Sequence, residues 1–317
     1  MAAATQRKRR LGTIAIVVVA AAILGTAAWL YTPDRPRAAL EQKYALPPST
    51  FLDVAGLRMH VRDTGPRDAP AIILLHGFGA SLHTWEDWAR VLDAEYRVIR
   101  FDLPGFALTG PDPTGDYSDA RSVAVLLALM DRLGIMRATI VGNSMGGRIA
   151  WTFAATHPDR TAKLVLMAPD GFASPGLSYG VAPAVPLMMR ALPYVLPTPL
   201  LRATLTPAYA DASVMTDDLV AQYRDMMLAP GVRRAIIDRL PQTVLARPKP
   251  LLHRINAPTL LLWGEKDRMI PVANAAAYLR EIPGARLVTF ADLGHLPHEE
   301  APGRSLQALR ALLAERP

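Results

Sequence analysis

Beyond residue 48 the chain alternates short apolar runs of strand length with longer stretches of helical apolar spacing. "STFLDV" (49–54) and "LRMHVRD" (57–63) come first and predict an antiparallel start; "AIILL" (71–75) and "YRVIRF" (96–101) follow. "ATIVG" (138–142), "KLVLMA" (163–168), "TLLLWG" (259–264) and "ARLVTF" (285–290) are continuous apolar runs, as strands covered on both faces must be. Helical candidates, among them 120–133 and 148–156, stand between them. Strand and helix alternating in this way predict an α/β fold built on a mostly parallel eight-stranded sheet with helices on both faces.

The alternation breaks once. Between "KLVLMAPDG" and "TLLLWG" the chain runs without a convincing strand for longer than a simple loop reaches, which predicts an inserted helical cap over 173–250. The core is then divided into 49–172 and 251–317. Met188, Met189, Met226 and Met227 lie in the insertion, together with several prolines. Most of these methionines are expected to pack a small core of its own, with a minority lining an apolar substrate pocket.

The first 48 residues have a different pattern. "LGTIAIVVVAAAILGTAAWLY" (11–31) carries no charge, and about 20 apolar residues rising 1.5 Å each cross a hydrocarbon layer roughly 30 Å thick. Residues 1–31 therefore predict a basic segment and transmembrane anchor, and 32–48 a proline- and charge-containing linker. Arg7, Lys8, Arg9 and Arg10 precede the apolar stretch while Trp29 and Tyr31 close it, an asymmetry that places the N-terminus in the cytoplasm and the rest outside it. The rival is a signal peptide cleaved near Thr26-Ala27-Ala28, against which stands an apolar stretch longer than the usual h-region of roughly 7 to 15 residues.

Composition narrows the chemistry. With no cysteine among 317 residues, disulfides, thiolate catalysis and cysteine-ligated metals are excluded. The net charge of +7 shrinks to +3 once the four N-terminal cations are set aside (7 minus 4), so nucleic-acid binding gains no support. The 51% hydrophobic content suits a folded chain, and the 28 prolines suit many loop boundaries. Oligomeric state is not legible.

One stretch carries a reactive group. "IVGNSMGGRIAW" (140–151) sets Ser144 among glycines between a strand and a helix. A serine hydroxyl needs a base, a group to orient that base, and donors for the developing oxyanion. Gly142, Gly146 and Gly147 permit a tight strand-to-helix turn that exposes Oγ, and the Met145 N–H would face the same space from the helix N-terminus. In "LLHGFG" (74–79), Gly77 and Gly79 would let backbone approach a reacting carbonyl.

Taken together, "GNSMGG", "LLHGFG" and "DLPGFALTG" (102–110) resemble the α/β-hydrolase superfamily over roughly residues 50–315. The resemblance implies a second oxyanion donor at the Phe78 N–H and a structural His76. It also places the catalytic base after the last strand, where His295 stands in "FADLGHLPHEE". His298 and Glu299 nearby could suggest a metal site, but Pro297 interrupts the spacing and no third ligand is evident. Neither metal nor cofactor is expected. "LLLWGEKDRMIP" (260–271) resembles the acid loop of the superfamily and offers Asp267; the order Ser144, Asp267, His295 is nucleophile, acid, base. Asp170 in "MAPDG" is the alternative acid, with Glu265 and Asp102 behind it.

The chemistry expected is acyl transfer to water through an acyl-enzyme. The apolar insertion and the anchor point to a small-molecule ester, apolar or lipid-like, as for a carboxylesterase or monoacylglycerol lipase. "GNSMGG" also resembles the elbow of C–C hydrolases that split meta-cleavage products, for whose acidic substrates Arg148 is the one arginine at the elbow. A non-catalytic ligand-binding member of the fold remains the third reading. A dehalogenase would need a carboxylate where Ser144 stands.

Overall fold

The computed structural model describes residues 2–173 and 178–315; positions 1, 174–177 and 316–317, which fall within the expected anchor, cap and core, lie outside the described residues. Eight strands form one sheet: β1 (Ser49–Val54), β2 (Leu57–Thr64), β3 (Ala71–Leu75), β4 (Arg97–Phe101), β5 (Ala138–Asn143), β6 (Thr161–Met167), β7 (Thr259–Gly264) and β8 (Arg286–Phe290), in the order β1-β2-β4-β3-β5-β6-β7-β8. β2 pairs antiparallel with both β1 and β4, the expected antiparallel start, and every later pairing is parallel.

The helices are α1 (Ala2–Leu30), α2 (Arg37–Tyr44), α3 (Glu86–Leu92), α4 (Asp119–Arg132), α5 (Met145–Thr156), α6 (Thr198–Leu205), α7 (Asp217–Met227), α8 (Val232–Arg239), α9 (Lys249–Leu252), α10 (Ala275–Glu281), α11 (Pro297–Glu300) and α12 (Pro302–Leu313). Successive strand residues divide between two cores. Ile72, Leu74, Val141, Val165 and Leu262 meet Trp85, Trp88 and the α12 residues Leu306 and Leu309 on one face. Ile73, Leu75, Ile140, Leu164 and Leu261 meet α4 and α5 on the other. The two-residue side-chain repeat of a strand thus explains the unbroken apolar runs, since both faces are covered.

Between β6 and β7 the described residues contain helices and no named strand. This segment has a cluster of its own, in which Leu201, Tyr209, Met215, Val220 and Tyr223 pack with Leu296 of the core. The methionines depart from expectation. Met226 is buried in the main core, whereas Met188, Met189 and Met227 line an open apolar chamber.

The stretch 32–48, expected as a linker, is held against the rest of the chain. It contains α2, and its side chains grip the helical segment: Asp34 accepts from Arg233 Nη2 at 2.6 Å, Arg35 pairs with Asp225 at 2.8 Å, and the Tyr44 hydroxyl donates to Asp225 at 2.8 Å. α1 stands apart, unburied, with a mean hydropathy of 2.3 over Leu11–Leu30, long and apolar enough to cross a membrane by length and composition.

On the face of the sheet that Trp85 and Trp88 cover, His298 stacks on Trp85 with ring centroids 4.2 Å apart. Burial, and secondarily the neighbouring His295, holds its imidazole down to about 3. A depressed histidine contributes stability that is complete above its ordinary value of 6.5 and is lost as pH falls toward 3, because the unfolded chain takes up the proton first. Between pH 6.5 and 5 this amounts to about 2 kcal/mol. Glu299 alongside, raised by burial, acts with the opposite sign, its stabilising effect being lost as pH rises through its folded value. Chemical denaturation at pH 7 and pH 5 therefore has to compare the parent with His298→Gln: the parent should lose about 2 kcal/mol more than the variant, and equal losses would refute the buried neutral imidazole.

Candidate active site

Ser144 sits between β5 and α5 with φ +54° and ψ −120°, a left-handed conformation that costs a non-glycine residue about 1–3 kcal/mol. Its neighbours are small because other backbone passes within contact. A Cβ on Gly142 would lie 2.2 Å from the Gly146 carbonyl oxygen, and one on Gly146 would lie 2.4 Å from that of Leu75 and 2.5 Å from that of His76. The end of β3 and the first turn of α5 touch main chain to main chain, which leaves the loop 76–79 against Ser144. Ser144 N–H donates to the Met167 carbonyl at 3.0 Å, and its own carbonyl accepts from Arg148 and Asp170 N–H at 3.1 and 3.0 Å. Met145 opens α5, so its N–H has no acceptor inside the helix.

His295 is brought in by the loop after β8. Its Nδ1 lies 2.7 Å from Asp267 Oδ2, whose other oxygen accepts N–H bonds from Met269 (2.7 Å) and Ile270 (2.9 Å). With Oδ2 facing the ring, Asp267 is held as an acceptor, and the imidazole proton belongs on Nδ1. His295 and Ser144 then share the wall of a cavity of about 80 Å³ with Phe78, Leu205, Tyr223 and Met269. Asp170, the alternative acid, instead pairs with Arg148 at 3.1 Å. Asp102 is wholly buried, bonded to His60 (2.8 Å) and to the Leu82 and Leu108 N–H groups; burial pushes its carboxyl up, but the charge and hydrogen bond of His60, with His76 and His83 behind them, hold it down to about 2, while Glu265 accepts from Thr289. His76 is structural as expected: Nε2 accepts from Leu103 N–H at 2.9 Å, leaving Nδ1 to donate to the Gly77 carbonyl at 2.7 Å.

Ser49, His60 and Asp102 form a second serine-histidine-aspartate chain, each link 2.8 Å. Arg62 Nε donates to that serine at 2.8 Å and Phe51 stacks on the imidazole, so the hydroxyl is already occupied.

Three residues outside the expected triad and oxyanion donors hold the site together. Asn143 Nδ2 donates to the His295 carbonyl at 3.1 Å and to that of Met167 at 3.2 Å, tying the base loop to the serine turn. Glu300 accepts from Gly294 N–H and Ala210 N–H, both at 2.7 Å, while His295 N–H donates to the Ala208 carbonyl at 2.7 Å. The segment 208–210 is thereby buckled to the base loop. Glu299 lies under it, accepting from the hydroxyls of Thr84, Tyr209 and Tyr223, and burial raises its carboxyl above the ordinary glutamate value. Asn143 had a signal, its place before the serine in "GNSMGG"; the glutamates had none, being two acids in a short polar run.

The cavity opens at Phe78 and Thr204 into a chamber of about 490 Å³ walled by residues such as Met188, Met189, Leu192, Val195 and Met227, with no charged side chain among the described residues of its lining.

A strained serine on a strand-to-helix turn, a buried aspartate-histidine contact and an eight-stranded sheet of this order meet in one family, and residues 70–302 match the model of the alpha/beta hydrolase fold. The chain belongs to the α/β-hydrolase family. With relatives that are hydrolases, it is a hydrolase. It is 34% identical over 276 residues to a 2-hydroxy-6-oxononadienedioate/2-hydroxy-6-oxononatrienedioate hydrolase of Paraburkholderia phymatum, covering 82% of this chain and 92% of that one. It is 30% identical over 250 residues to a 2-hydroxy-6-oxo-6-phenylhexa-2,4-dienoate hydrolase of Burkholderia cepacia, covering 76% and 86%. A solved meta-cleavage product hydrolase from Pseudomonas fluorescens superposes with a TM-score of 0.72 at 25% identity, covering 83% and 97%.

These relatives overturn the expectation of a carboxylic ester as substrate. The compounds in their names bear an enol, a ketone and carboxylates but no ester, so hydrolysing them means breaking a carbon-carbon bond. The esterase and lipase reading rested on an apolar insertion and a nearby anchor. Both are features of the pocket's surroundings, and the α/β-hydrolase site serves either bond type.

Proposed function

We propose that this chain is a C–C bond hydrolase of 2-hydroxy-6-oxo-dienoates, the products of meta ring cleavage, with Ser144 as nucleophile, His295 as base and Asp267 as its orienting acid. The observation carrying this reading is the 34% identity, spread over most of both chains, to a hydrolase named for such a compound. The Asp267–His295 contact at 2.7 Å and the strained Ser144 supply the chemistry it needs.

The substrate is the enol of a 2,6-diketone. With a proton moved from the C2 hydroxyl to C5, the C2 carbonyl becomes an electron sink conjugated to C4. His295 takes the Ser144 proton as Oγ adds to C6, and the oxyanion falls to the Met145 and Phe78 N–H groups. The C5–C6 bond then breaks, its electron pair passing through C4 and C3 to the C2 oxygen, which takes the proton held by His295, so that a 2-hydroxydienoate leaves and an acyl group stays on Ser144. Water, deprotonated by His295, releases the acid. Arg148 is balanced by Asp119 and Asp170, at 3.2 and 3.1 Å. Arg239 is the buried cation beside Met145, donating to the Pro104 and Tyr117 carbonyls, and it favours an anionic substrate over a neutral one.

The segment 173–250 acts as the cap that closes over the substrate, and its chamber selects the C6 substituent. Without a charged wall, it favours an aryl or alkyl group over the carboxylate of a dioate, which would be buried unpaired. Turnover of the 6-phenyl dienoate and the nine-carbon dioate, followed by loss of their dienolate absorbance, tests this. The 6-phenyl compound should have the larger kcat/KM by roughly 100-fold, the discrimination typical of a missing polar partner. A preference for the dioate would reverse the chamber's assignment; no turnover of either would overturn the reaction.

In the same reading α1 is retained as a single-pass anchor with the catalytic part on the extracytoplasmic side. The mean hydropathy of 2.3 over Leu11–Leu30 and the cations before it support this.

A further inference from the structure

The apolar helix does not end in a free tether. Tyr31, one residue past Leu30, forms a backbone bridge with Val195; Thr32 N–H donates to the Tyr194 carbonyl at 2.7 Å, and Leu196 N–H donates to Thr32 Oγ1 at 3.4 Å. Val195 and Leu196 are also wall residues of the apolar chamber. The wall of the substrate chamber therefore stands about one strand spacing, roughly 4.8 Å, from the end of the membrane-length segment.

The surface around that joint is apolar and open. Leu187 and Met188 are each 80% exposed, Tyr194 and Leu200 are half exposed, and Trp29 and Tyr31 flank them on the helix side. Soluble monomers rarely leave so many large apolar side chains uncovered in one region. The charge is one-sided as well: from Gly171 to Ala210 the sequence holds no acidic residue, and Arg190 is exposed next to this cluster. Aromatic rings at a helix end, exposed leucine and methionine, and an exposed guanidinium are the composition of a surface lying at a headgroup boundary.

We propose that the 187–200 rim of the cap docks into the bilayer surface beside α1, so that the chamber opens toward lipid and draws apolar substrate from the membrane. This goes beyond the C–C hydrolase reading and rests instead on α1 spanning the bilayer. If Tyr31 marks the interface, backbone pairing leaves 194–196 no other depth, and the exposed apolar side chains are then covered by acyl chains instead of water. A second copy of the chain would cover the same side chains but would not require them to be level with the end of a membrane span.

The absence of native cysteine makes the test direct. The full chain, as Leu187→Cys or as Met136→Cys, is labelled with an environment-sensitive fluorophore and reconstituted into vesicles of phosphatidylethanolamine and phosphatidylglycerol. Met136 is exposed in the α4–β5 turn, at the opposite end of the strands from Ser144, and serves as the aqueous reference. The label at 187 should be quenched by spin-labelled acyl chains at a depth roughly 5–10 Å below the headgroups and be protected from iodide, while the label at 136 shows the reverse. Equal iodide quenching at both positions, in vesicles that retain the chain after an alkaline carbonate wash, overturns the docking. Release of the chain by that wash overturns it at its premise. Either failure leaves the turnover of dienoates, measured separately, as the test of the reaction.

Discussion

Ser144→Ala should lower kcat for dienoate hydrolysis by about 10⁵- to 10⁶-fold, the loss typical of removing the nucleophile from a serine-histidine-aspartate set. The binding constant for the substrate should move little, because the chamber and the loop 76–79 remain. Single-turnover absorbance measurements distinguish the two quantities. Ser144→Gly is the companion: it should be equally inactive yet melt higher, since glycine accepts φ +54° without the penalty a Cβ brings, about 1 kcal/mol or more. An alanine variant that keeps above about 1% of parental kcat would remove Ser144 from the reaction and leave direct attack by water.

Gly264→Ala is expected to damage stability and catalysis together. Gly264 ends β7 just before the acid loop, and a Cβ there would lie 2.1 Å from the Gly294 carbonyl oxygen and 2.3 Å from that of Leu293. Those atoms are backbone of the loop that carries His295, so no side-chain rotation relieves the clash. Either the acid loop or the base loop has to move. The variant should lose about 3 kcal/mol of stability or more, and the molecules that remain folded should lose kcat more than they gain KM, because the Asp267–His295 contact is displaced. Urea denaturation and steady-state kinetics on the same preparation check both. Parental values in both measurements would mean that the two loops do not cross as tightly as described. An intact melting profile with low kcat would confine the damage to the dyad.

Much of this arrangement is legible in the residues. "TLLLWG", "AIILL" and "STFLDV" name their strands to the residue, and the other five runs fall within two residues of theirs, because apolar residues on both faces of a covered strand leave little else to form. "GNSMGG" betrays a close main-chain crossing because only glycine tolerates one. The choice between Asp267 and Asp170 was less legible. Both follow a strand at the same edge of the sheet, and only the position of the His295 ring separates them, with Asp267 on Nδ1 and Asp170 turned to Arg148.

Substrate class was misread for a related reason. Apolar residues in the insertion were visible, yet an apolar chamber suits the C6 substituent of a ring-cleavage product as well as an acyl chain, and composition does not distinguish them. In the stretch 32–48 the prolines and charges were legible but their partners were not, since Asp225 and Arg233 lie far along the chain.

By itself, then, the amino-acid order determined the strands, the sharp turn bearing Ser144, and the succession of hydroxyl, carboxylate and imidazole along the chain. Those are local matters, written in side-chain period and in where glycine is required. Tertiary structure alone decided which carboxylate meets His295, how Asn143 and Glu300 hold its loop, and where the chamber opens relative to α1. Such contacts join residues many positions apart, largely through backbone N–H and carbonyl groups that nearly every residue carries, so no pattern of side chains announces them.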